Sequence, residues 1–223
     1  VITSPLLLDA GIAAFTDVTC KGNSDGTAIA AQSGGVSPYN YSWSSGGSAV
    51  NESGLPAGSY TVTVTDSNGC KADTVINIAE PAQALTLTTT FTDALCDGSS
   101  DGTATAIPAG GHSAYTYLWD VAASGQTTQT GTGLSAGSYT VTVTDGGNCI
   151  ASSTVNIGEP LALGSNVVST VDKLCPDPAD LGEATVQATG GTSPYTFAWS
   201  TGATGNNPAL IVGTHSFTAT DAN

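Results

Sequence analysis

The chain has 223 residues and a formal net charge of −15 at pH 7, with only three lysine or arginine side chains and two histidines. Such an acidic chain is a poor partner for nucleic acids and for anionic membranes, because like charges repel. Its longest run of large apolar residues, Leu6 to Leu8, is far shorter than the roughly 20 residues of a membrane-spanning helix. The 28 glycines and an aromatic content of 6% also argue against long helices.

An internal repeat divides the chain into copies. A proline lies 15 residues before the first cysteine of each copy, and that cysteine is followed by paired glycines, a Tyr-x-x-x-Trp unit and a strand-like segment that ends in aspartate. The interval between these prolines is 76 and then 79 residues. We therefore predict the tail of a preceding repeat at residues 1–5, a first repeat at 6–81, a second at 82–160, and an incomplete third at 161–223 that lacks its last strand.

Short β-strands are predicted near the start of each repeat. They include Ala28 to Gln32, Tyr39 to Trp43 and, in the second repeat, Leu85 to Phe91, each bounded by Gly, Asn, Asp or Pro. Several short strands and a tryptophan on a central strand are typical of an immunoglobulin-like sandwich. We predict an all-β chain of tandem immunoglobulin-like β-sandwich repeats. The Glu-Pro junctions between copies contain no long flexible spacer and predict an extended rod.

A β-hairpin is predicted towards the end of each repeat. In Tyr60 to Thr65 apolar residues alternate with threonine, so that the tyrosine and the two valines share one buried face. Asp66 to Gly69 has the composition of a tight turn, because Asp bonds its own backbone and Asn-Gly tolerates positive φ. A second strand through Thr74 to Ile78 is expected to return beside the first.

Five cysteines recur in register: Cys20, Cys70, Cys96, Cys149 and Cys175. A sandwich of this size buries little apolar surface, so we predict disulfides Cys20–Cys70 and Cys96–Cys149, formed outside the cytoplasm. Each closes a loop of roughly 50 residues, which stabilises the fold by about 4 kcal/mol in the chain-entropy model. Cys175 is expected to pair with a cysteine beyond the segment. The alternative pairs, Cys70–Cys96 and Cys149–Cys175, join adjacent repeats and remain open, because the first and last turns of a standard immunoglobulin sandwich lie at opposite poles.

The motifs of the repeat resemble a known family. Cys-x-Gly-x-x-Asp-Gly-Thr-Ala occurs at 20–28 and 96–104, followed by Gly-Gly, Pro-Tyr-x-Tyr-x-Trp-Ser and Leu-x-Ala-Gly-x-Tyr-Thr-Val-Thr-Val-Thr-Asp-x-x-Gly-Cys. This pattern resembles the SprB-type repeat over almost the whole chain. The third copy departs from it at 175–183 and carries His215 where tyrosine is expected.

The resemblance carries implications for location and function. SprB-type repeats occur in very large surface proteins of Bacteroidota, including a gliding-motility adhesin, and such proteins are exported by the type IX secretion system. The resemblance therefore implies an extracellular, cell-surface stalk or filament. The Tyr-Thr-Val-Thr-Val-Thr-Asp strand is also similar to polycystic-kidney-disease-type domains, which serve as spacers in secreted enzymes.

The sequence contains only weak signals for a catalytic or metal site. His112 and His215 have no equivalents in the other copies, and we interpret them as solvated residues of a loop and a strand. Aspartates recur at turns, and their hard oxygens suit Ca²⁺, although turn formation accounts for them without a metal. These aspartates are Asp25, Asp66, Asp101 and Asp145. We predict no catalytic residue, no metal site and no cofactor.

Two surface features suggest carbohydrate. Tyrosines beside the glycine loops could form a stacking platform for a glycan, although strand alternation directs them towards the core. These tyrosines are Tyr39, Tyr41, Tyr115 and Tyr117. Asp73-Thr74-Val75 resembles the Asp-Ser/Thr-apolar sites of O-glycan attachment in Bacteroidota, and an ordinary exposed strand threonine is the simpler interpretation.

Together these patterns predict a non-catalytic structural stalk or filament segment of a large secreted cell-surface adhesin, involved in gliding motility or attachment. The alternative is a spacer or carbohydrate-binding repeat array of a secreted hydrolase. The expected partners are other repeats of the same long chain and, through regions outside this segment, a surface polysaccharide or another cell-surface ligand. Self-association into a filament through exposed strand edges is a further hypothesis.

Overall fold

The computed structural model describes residues 6–172 and 181–223, and strands dominate both ranges. The first repeat forms β1 Asp9–Thr16, β2 Gly26–Ser33, β3 Asn40–Trp43, β4 Asn51–Leu55, β5 Gly58–Thr65 and β6 Lys71–Ile78. The second forms β7 Thr86–Thr92, β8 Gly102–Ala109, β9 Thr116–Trp119, β10 Thr130–Leu134, β11 Gly137–Thr144 and β12 Ile150–Ile157, with a 3-10 turn at Val121–Ala123. The third forms β13 Gly164–Val171, β14 Gly182–Thr189, β15 Thr196–Trp199, β16 Ala209–Leu210 and β17 Phe217–Thr220.

Each repeat arranges its strands in two sheets. In the first repeat the strand orders are β1-β2-β4 and β3-β5-β6, and in the second they are β7-β8-β10 and β9-β11-β12. The third repeat pairs β13-β14-β16 in one sheet and β15-β17 in the other. Neighbouring strands are antiparallel, as in β5 and β6. The predicted all-β class of tandem sandwich repeats is confirmed.

The predicted strands lie close to the observed ones. β2, β3 and β7 agree with the predicted runs to within two residues at each end. β6 begins at Lys71 rather than Thr74, because it pairs with β5 along the whole length of both strands, from Gly58 opposite Ile78 to Thr65 opposite Lys71. The ladder therefore extends beyond the alternating apolar residues that define the strand in the sequence.

The core of the first repeat lies between its two sheets. Its buried residues are Val18, Ala28, Ala30, Trp43, Leu55, Val62 and Ile78. As predicted, Val62 and Val64 are fully buried, and Tyr60 packs against the same core. The Trp43 indole N–H donates to the Ala49 carbonyl at 2.9 Å, so the largest core side chain leaves no polar atom unpaired.

A tyrosine hydrogen bond closes the corner before the last hairpin of each complete repeat. The hydroxyl of Tyr60 donates to the Pro56 carbonyl at 2.8 Å, and that of Tyr139 donates to the Ser135 carbonyl at 2.9 Å. A tyrosine bonded to the backbone a few residues upstream at this position is the tyrosine corner of immunoglobulin-like sandwiches. These two contacts support the immunoglobulin-like assignment independently of the strand order.

Gly26, at the start of β2, is pressed against the opposite sheet. A Cβ at this position would lie 2.7 Å from Ile78 Cγ2 and 2.8 Å from the Leu55 carbonyl oxygen. We expect Gly26→Ala to lower the free energy of unfolding by about 1–3 kcal/mol, because an added methyl group overpacks the core. Urea unfolding measures the change. Gly11→Ala is the matched control, since its Cβ would meet no atom within 4 Å, and an equal loss in both variants would contradict the steric explanation.

The chain divides into two compact units, and the boundary runs through the second repeat. The first unit comprises Val1–Thr88, Ile107–Tyr117 and Thr142–Ser153, and the second comprises Thr89–Ala106, Leu118–Val141 and Thr154–Asn223. Each unit thus contains one end of the second repeat together with a neighbouring repeat. Within the described ranges, no helix has the length and hydropathy needed to cross a bilayer.

Candidate functional site

A disulfide joins the first repeat to the second. The sulfurs of Cys20 and Cys149 lie 2.10 Å apart, their Cα atoms are 5.7 Å apart, and 129 positions of sequence separate them. Both residues belong to the first compact unit. The thiols of Cys70 and Cys96 are free and exposed, and Cys175 lies outside the described residues. The covalent link therefore connects successive repeats.

The predicted pairs Cys20–Cys70 and Cys96–Cys149 are therefore wrong. The Val18 N–H donates to the Ala79 carbonyl at 2.9 Å, which places Cys20 beside the end of β6, whereas Cys70 precedes its start. The eight residues of β6 span about 26 Å as a strand, while a disulfide needs Cα atoms within about 7 Å. The two cysteines of one repeat thus lie at opposite poles of the sandwich.

The alternative pairs, Cys70–Cys96 and Cys149–Cys175, are wrong as well. Cys70 and Cys96 are free, and Cys149 is bonded to Cys20. The alternative did anticipate a covalent link between adjacent repeats. It paired the second cysteine of one repeat with the first cysteine of the next, whereas the observed bond joins the first cysteine of one repeat to the second cysteine of the next.

The loop between β1 and β2, residues 17–25, presents Cys20 and is named here the first-cysteine loop. Asp25 Oδ1 accepts the backbone N–H of Thr19 at 3.0 Å, and the Thr19 hydroxyl also donates to the Asp25 carboxylate. The hydroxyl hydrogen bond, followed by the backbone one, holds the pKa of Asp25 below its ordinary value. Asp25 therefore fixes the loop from within.

Glu80, just after β6, holds the same loop from the other side. Its carboxylate accepts the backbone N–H of Gly22 at 2.7 Å and the Lys21 ammonium at 2.8 Å. The hydrogen bond from Lys21 makes the largest contribution to lowering the pKa of Glu80, and the Gly22 N–H adds to it. The glutamate of the Glu-Pro junction thus positions the residues next to Cys20.

The turn between β11 and β12, residues 145–149, presents Cys149 and is named the second-cysteine turn. Asp145 Oδ1 accepts the backbone N–H groups of Gly147 at 2.8 Å and of Cys149 at 2.9 Å. Its Oδ2 accepts the N–H of His112 at 2.9 Å. His112 follows Gly110 and Gly111 in the loop between β8 and β9, which is named the glycine loop of this repeat. Burial favours the neutral acid, but these N–H donors outweigh it and hold the pKa of Asp145 below its ordinary value. This aspartate ties the turn to the glycine loop.

The other two repeats have the same aspartate. In the first repeat Asp66 accepts the N–H of Val36 at 3.0 Å and that of Cys70 at 2.8 Å. In the third repeat Asp221 accepts the N–H of Thr192 at 2.8 Å. Asp66 and Asp145 are buried, with only 3% and 4% of their surface exposed. In the sequence these aspartates look like ordinary turn residues, and their contact with the paired-glycine loop is not visible there.

Replacing Asp145 with asparagine is expected to reduce the loss of stability in acid. A carboxylate whose pKa is lowered by folding stabilises the protein above its unfolded pKa of about 3.9, and this contribution disappears as the pH falls through the lower folded pKa. At pH 7 we expect Asp145→Asn to cost about 2 kcal/mol, because the amide N–H₂ cannot accept the His112 N–H. The difference from the parent protein should shrink as the pH falls below about 4.

Urea unfolding between pH 2 and pH 7 measures this effect. The matched control is Asp73→Asn, which changes an exposed carboxylate on β6. A difference between the Asp145 variant and the parent that stays constant over the whole pH range would contradict the explanation.

The two cysteine-bearing segments meet closely. Cys149 Sγ lies 3.4 Å from the Thr19 carbonyl oxygen. A Cβ on Gly147 would lie 2.8 Å from that same oxygen, so the second-cysteine turn packs against the backbone beside Cys20. The disulfide is one part of a packed junction between the repeats.

The turn aspartates considered for calcium do not converge. Asp25, Asp66 and Asp145 accept backbone N–H groups as described, and Asp101 accepts the Leu95 N–H at 3.0 Å and the Ser99 hydroxyl at 2.6 Å. Over residues 6–172 and 181–223, no group of three or more His, Cys, Asp or Glu side chains is placed to hold a metal ion. Each aspartate therefore has a structural explanation of its own.

The candidate histidines both lie outside the strands: His112 is in a loop, as predicted, whereas His215 precedes β17, which begins only at Phe217. His112 lies exposed in the glycine loop of the second repeat. The half-buried ring of His215 differs from the solvated residue that we predicted: its Nε2 lies 2.7 Å from the Ile211 carbonyl oxygen. It occupies the place of the corner tyrosines Tyr60 and Tyr139.

The tyrosines considered for glycan stacking are half-buried. The hydroxyl of Tyr39 donates to the Gly34 carbonyl at 2.7 Å, and that of Tyr115 donates to the Gly110 carbonyl at 2.7 Å. The Tyr41 hydroxyl donates to Gln32 Oε1 at 2.7 Å, and Tyr117 is half-buried on β9. Three of the four hydroxyls are thus bonded within their own repeat. The Asp73-Thr74-Val75 segment lies within β6.

A cavity of about 600 Å³ lies in the third repeat, and its lining includes Gly182, Trp199, Leu210 and Phe217. In the first repeat, Gly26 and Leu55 occupy the positions that correspond to Gly182 and Leu210, and there Ile78 of β6 fills this space. The cavity is therefore the space that a strand occupies in the other sandwiches.

The profile of the SprB repeat matches the chain three times, at residues 12–48, 88–124 and 167–204. No curated protein matches the chain. The chain is also similar to a solved structure described as a "tetra-tandem repeat in extending region of large adhesion protein", at 14% sequence identity and a TM-score of 0.27. That alignment covers 97% of this chain and 66% of the other. Since the three profile matches cover half of its length, the chain belongs to the SprB repeat family.

Proposed function

We propose that the chain is a non-catalytic structural stalk segment of a large secreted adhesin at the cell surface. The observation that carries this proposal is the Cys20–Cys149 disulfide between successive repeats. Membership of the SprB repeat family, with three tandem copies, supports it. Disulfides persist in oxidising extracellular surroundings, which fits an exported protein.

The position of the disulfide suits a segment that carries tension. A pulling force that enters before Cys20 passes directly to Cys149, so the 128 residues between them bear none of the load while the bond is intact. Only β1 of the first repeat and β12 of the second lie on the covalent path outside this loop. Such a stalk extends little under force.

The high negative charge of the chain suits a protein that is present in many copies on a cell surface. A net charge of −15 makes neighbouring copies repel one another, which keeps them soluble and apart. The partners in this proposal are other repeats of the same long chain and, through regions outside this segment, a polysaccharide or another surface ligand. Attachment or gliding motility is the process that the stalk serves.

Surface digestion of intact cells tests the proposal. We expect peptides of this chain to be released from living cells by external protease, in a polypeptide with many further repeats. Deletion of the gene should reduce attachment or surface spreading. Peptides found instead in the culture fluid, in a polypeptide of a few repeats that ends in a catalytic domain, would overturn the proposal in favour of a hydrolase spacer.

A further inference from the structure

The free thiol of Cys96 lies in a loop that repeats the geometry around Cys20. The Leu95 N–H donates to Asp101 at 3.0 Å, as the Thr19 N–H does to Asp25. Glu159 accepts the Gly98 N–H at 2.7 Å, as Glu80 accepts the Gly22 N–H. The loop between β7 and β8, which presents Cys96, is therefore built for the same role as the first-cysteine loop.

The third repeat contains a segment that corresponds to the second-cysteine turn. Asp221 accepts the Thr192 N–H at 2.8 Å and the Asn223 N–H at 3.2 Å. Asp145 makes the same two contacts with His112 and Gly147. The backbone after Asp221 thus begins the same turn that presents Cys149.

These two segments are in contact. Asn223 Nδ2 donates to the Leu95 carbonyl at 2.7 Å and to the Thr192 hydroxyl at 2.9 Å. Asn223 corresponds to Gly147, and Leu95 corresponds to Thr19, whose carbonyl oxygen would lie 2.8 Å from a Cβ on Gly147. The contact between the second and third repeats therefore has the register of the contact that holds the Cys20–Cys149 bond. None of the described cysteines forms a disulfide at this contact.

We propose that Cys96 is an inter-repeat disulfide site that takes a cysteine placed four residues after Asp221. The interval is that from Asp145 to Cys149 and from Asp66 to Cys70. The rule is that the first cysteine of each repeat bonds to the second cysteine of the next. It goes beyond the proposed function, because it assigns a covalent partner to a thiol that is free in this chain.

The chemistry needs a disulfide oxidant, such as oxidised glutathione. The Cys96 thiolate attacks one sulfur of the oxidant, forms a mixed disulfide and releases one glutathione thiolate. The thiolate of the second cysteine then attacks the Cys96 sulfur and releases the other glutathione. Two protein thiols are oxidised, and one oxidised glutathione is reduced to two thiols.

The test extends the whole chain by Gly-Cys after Asn223, in a Cys175→Ser background. After oxidation with glutathione disulfide, free thiols are labelled with a maleimide and the protein is digested without reduction for mass spectrometry. We expect complete loss of labelling at Cys96 and at the added cysteine, which appear in one cross-linked peptide pair. Cys70 should stay out of any protein cross-link, either labelled or capped by glutathione, and the Cys20–Cys149 pair in the same digest reports a folded protein.

Two controls test whether the bond requires both Cys96 and the added cysteine. A Gly-Ser extension should leave Cys96 labelled or capped by glutathione, without a cross-linked peptide, and Cys96→Ser with the Gly-Cys extension should leave the added cysteine in the same state. A Gly-Cys chain in which Cys96 stays labelled or capped by glutathione, or in which the added cysteine bonds to Cys70 or to another chain, would overturn the proposal. Neither result would bear on the surface location, which is tested separately on cells.

Discussion

A chain pulled from its two ends is expected to release about 450 Å less length while the Cys20–Cys149 bond is intact than after the bond is reduced. The bond removes 129 positions of sequence from the extensible path, and an extended chain gains at most about 3.3–3.6 Å per residue. Single-molecule force spectroscopy with and without a reducing agent measures the difference as a change in contour length.

Two variants control this measurement. Cys20→Ser should release the full length without reductant, whereas Cys70→Ser with Cys96→Ser, which removes two free thiols, should behave like the parent protein. An unchanged contour length after reduction would show that the disulfide does not shield the residues between Cys20 and Cys149.

Removing the disulfide should also be among the most destabilising changes available in this chain. For a loop of 129 positions, the chain-entropy model predicts a loss of about 5 kcal/mol in the free energy of unfolding. That loss is comparable with the whole stability of a small domain. We expect Cys20→Ser with Cys149→Ser to unfold at much lower urea concentrations.

The double variant Cys70→Ser with Cys96→Ser is again the matched control, and it should unfold close to the parent protein. Urea unfolding followed by tryptophan fluorescence measures both, because Trp43 and Trp119 are buried in the cores of the two linked repeats. Equal midpoints for the two double variants would contradict a stabilising role for the bond.

The strands and the core could be predicted because they depend on local patterns. The alternation of Tyr60, Val62 and Val64 with threonine determined which face is buried, and the structure buries it. Trp43 lies in the core, but the prediction that it marks a central strand is wrong, because β3 is at the edge of the sheet β3-β5-β6. Period, turn residues and alternation act over a few residues, so they remain visible in a single sequence.

The disulfide could not be predicted by the same means. Loop length alone sets the stabilisation in the chain-entropy model, and loop length contains no information about strand direction. Only the pairing of β5 with β6, together with the Val18–Ala79 hydrogen bond, places the two residues at opposite poles. The bonded partner comes from another repeat, and contacts between repeats leave no periodic signal in the sequence.

The buried aspartates were underestimated for a related reason. Asp66 and Asp145 looked like ordinary turn residues, and their contacts with Val36 and His112 span about 30 residues of sequence. Their recurrence four residues before a cysteine, together with the paired glycines, was the available signal. Similarly, the sequence shows His215 where tyrosine is expected, but only its contact with the Ile211 carbonyl shows that it takes the place of the corner tyrosines in the fold.

The order of the cysteines along the chain has a consequence for how the protein matures. Cys70 and Cys96 lie nearer to Cys20 along the chain than Cys149 does, so the unfolded chain offers Cys20 two wrong partners with shorter loops to close. Folding of the first repeat removes one of them, because β6 then separates Cys20 from Cys70. The correct bond also requires the second-cysteine turn held by Asp145. We therefore expect the Cys20–Cys149 disulfide to close only after two successive repeats have folded.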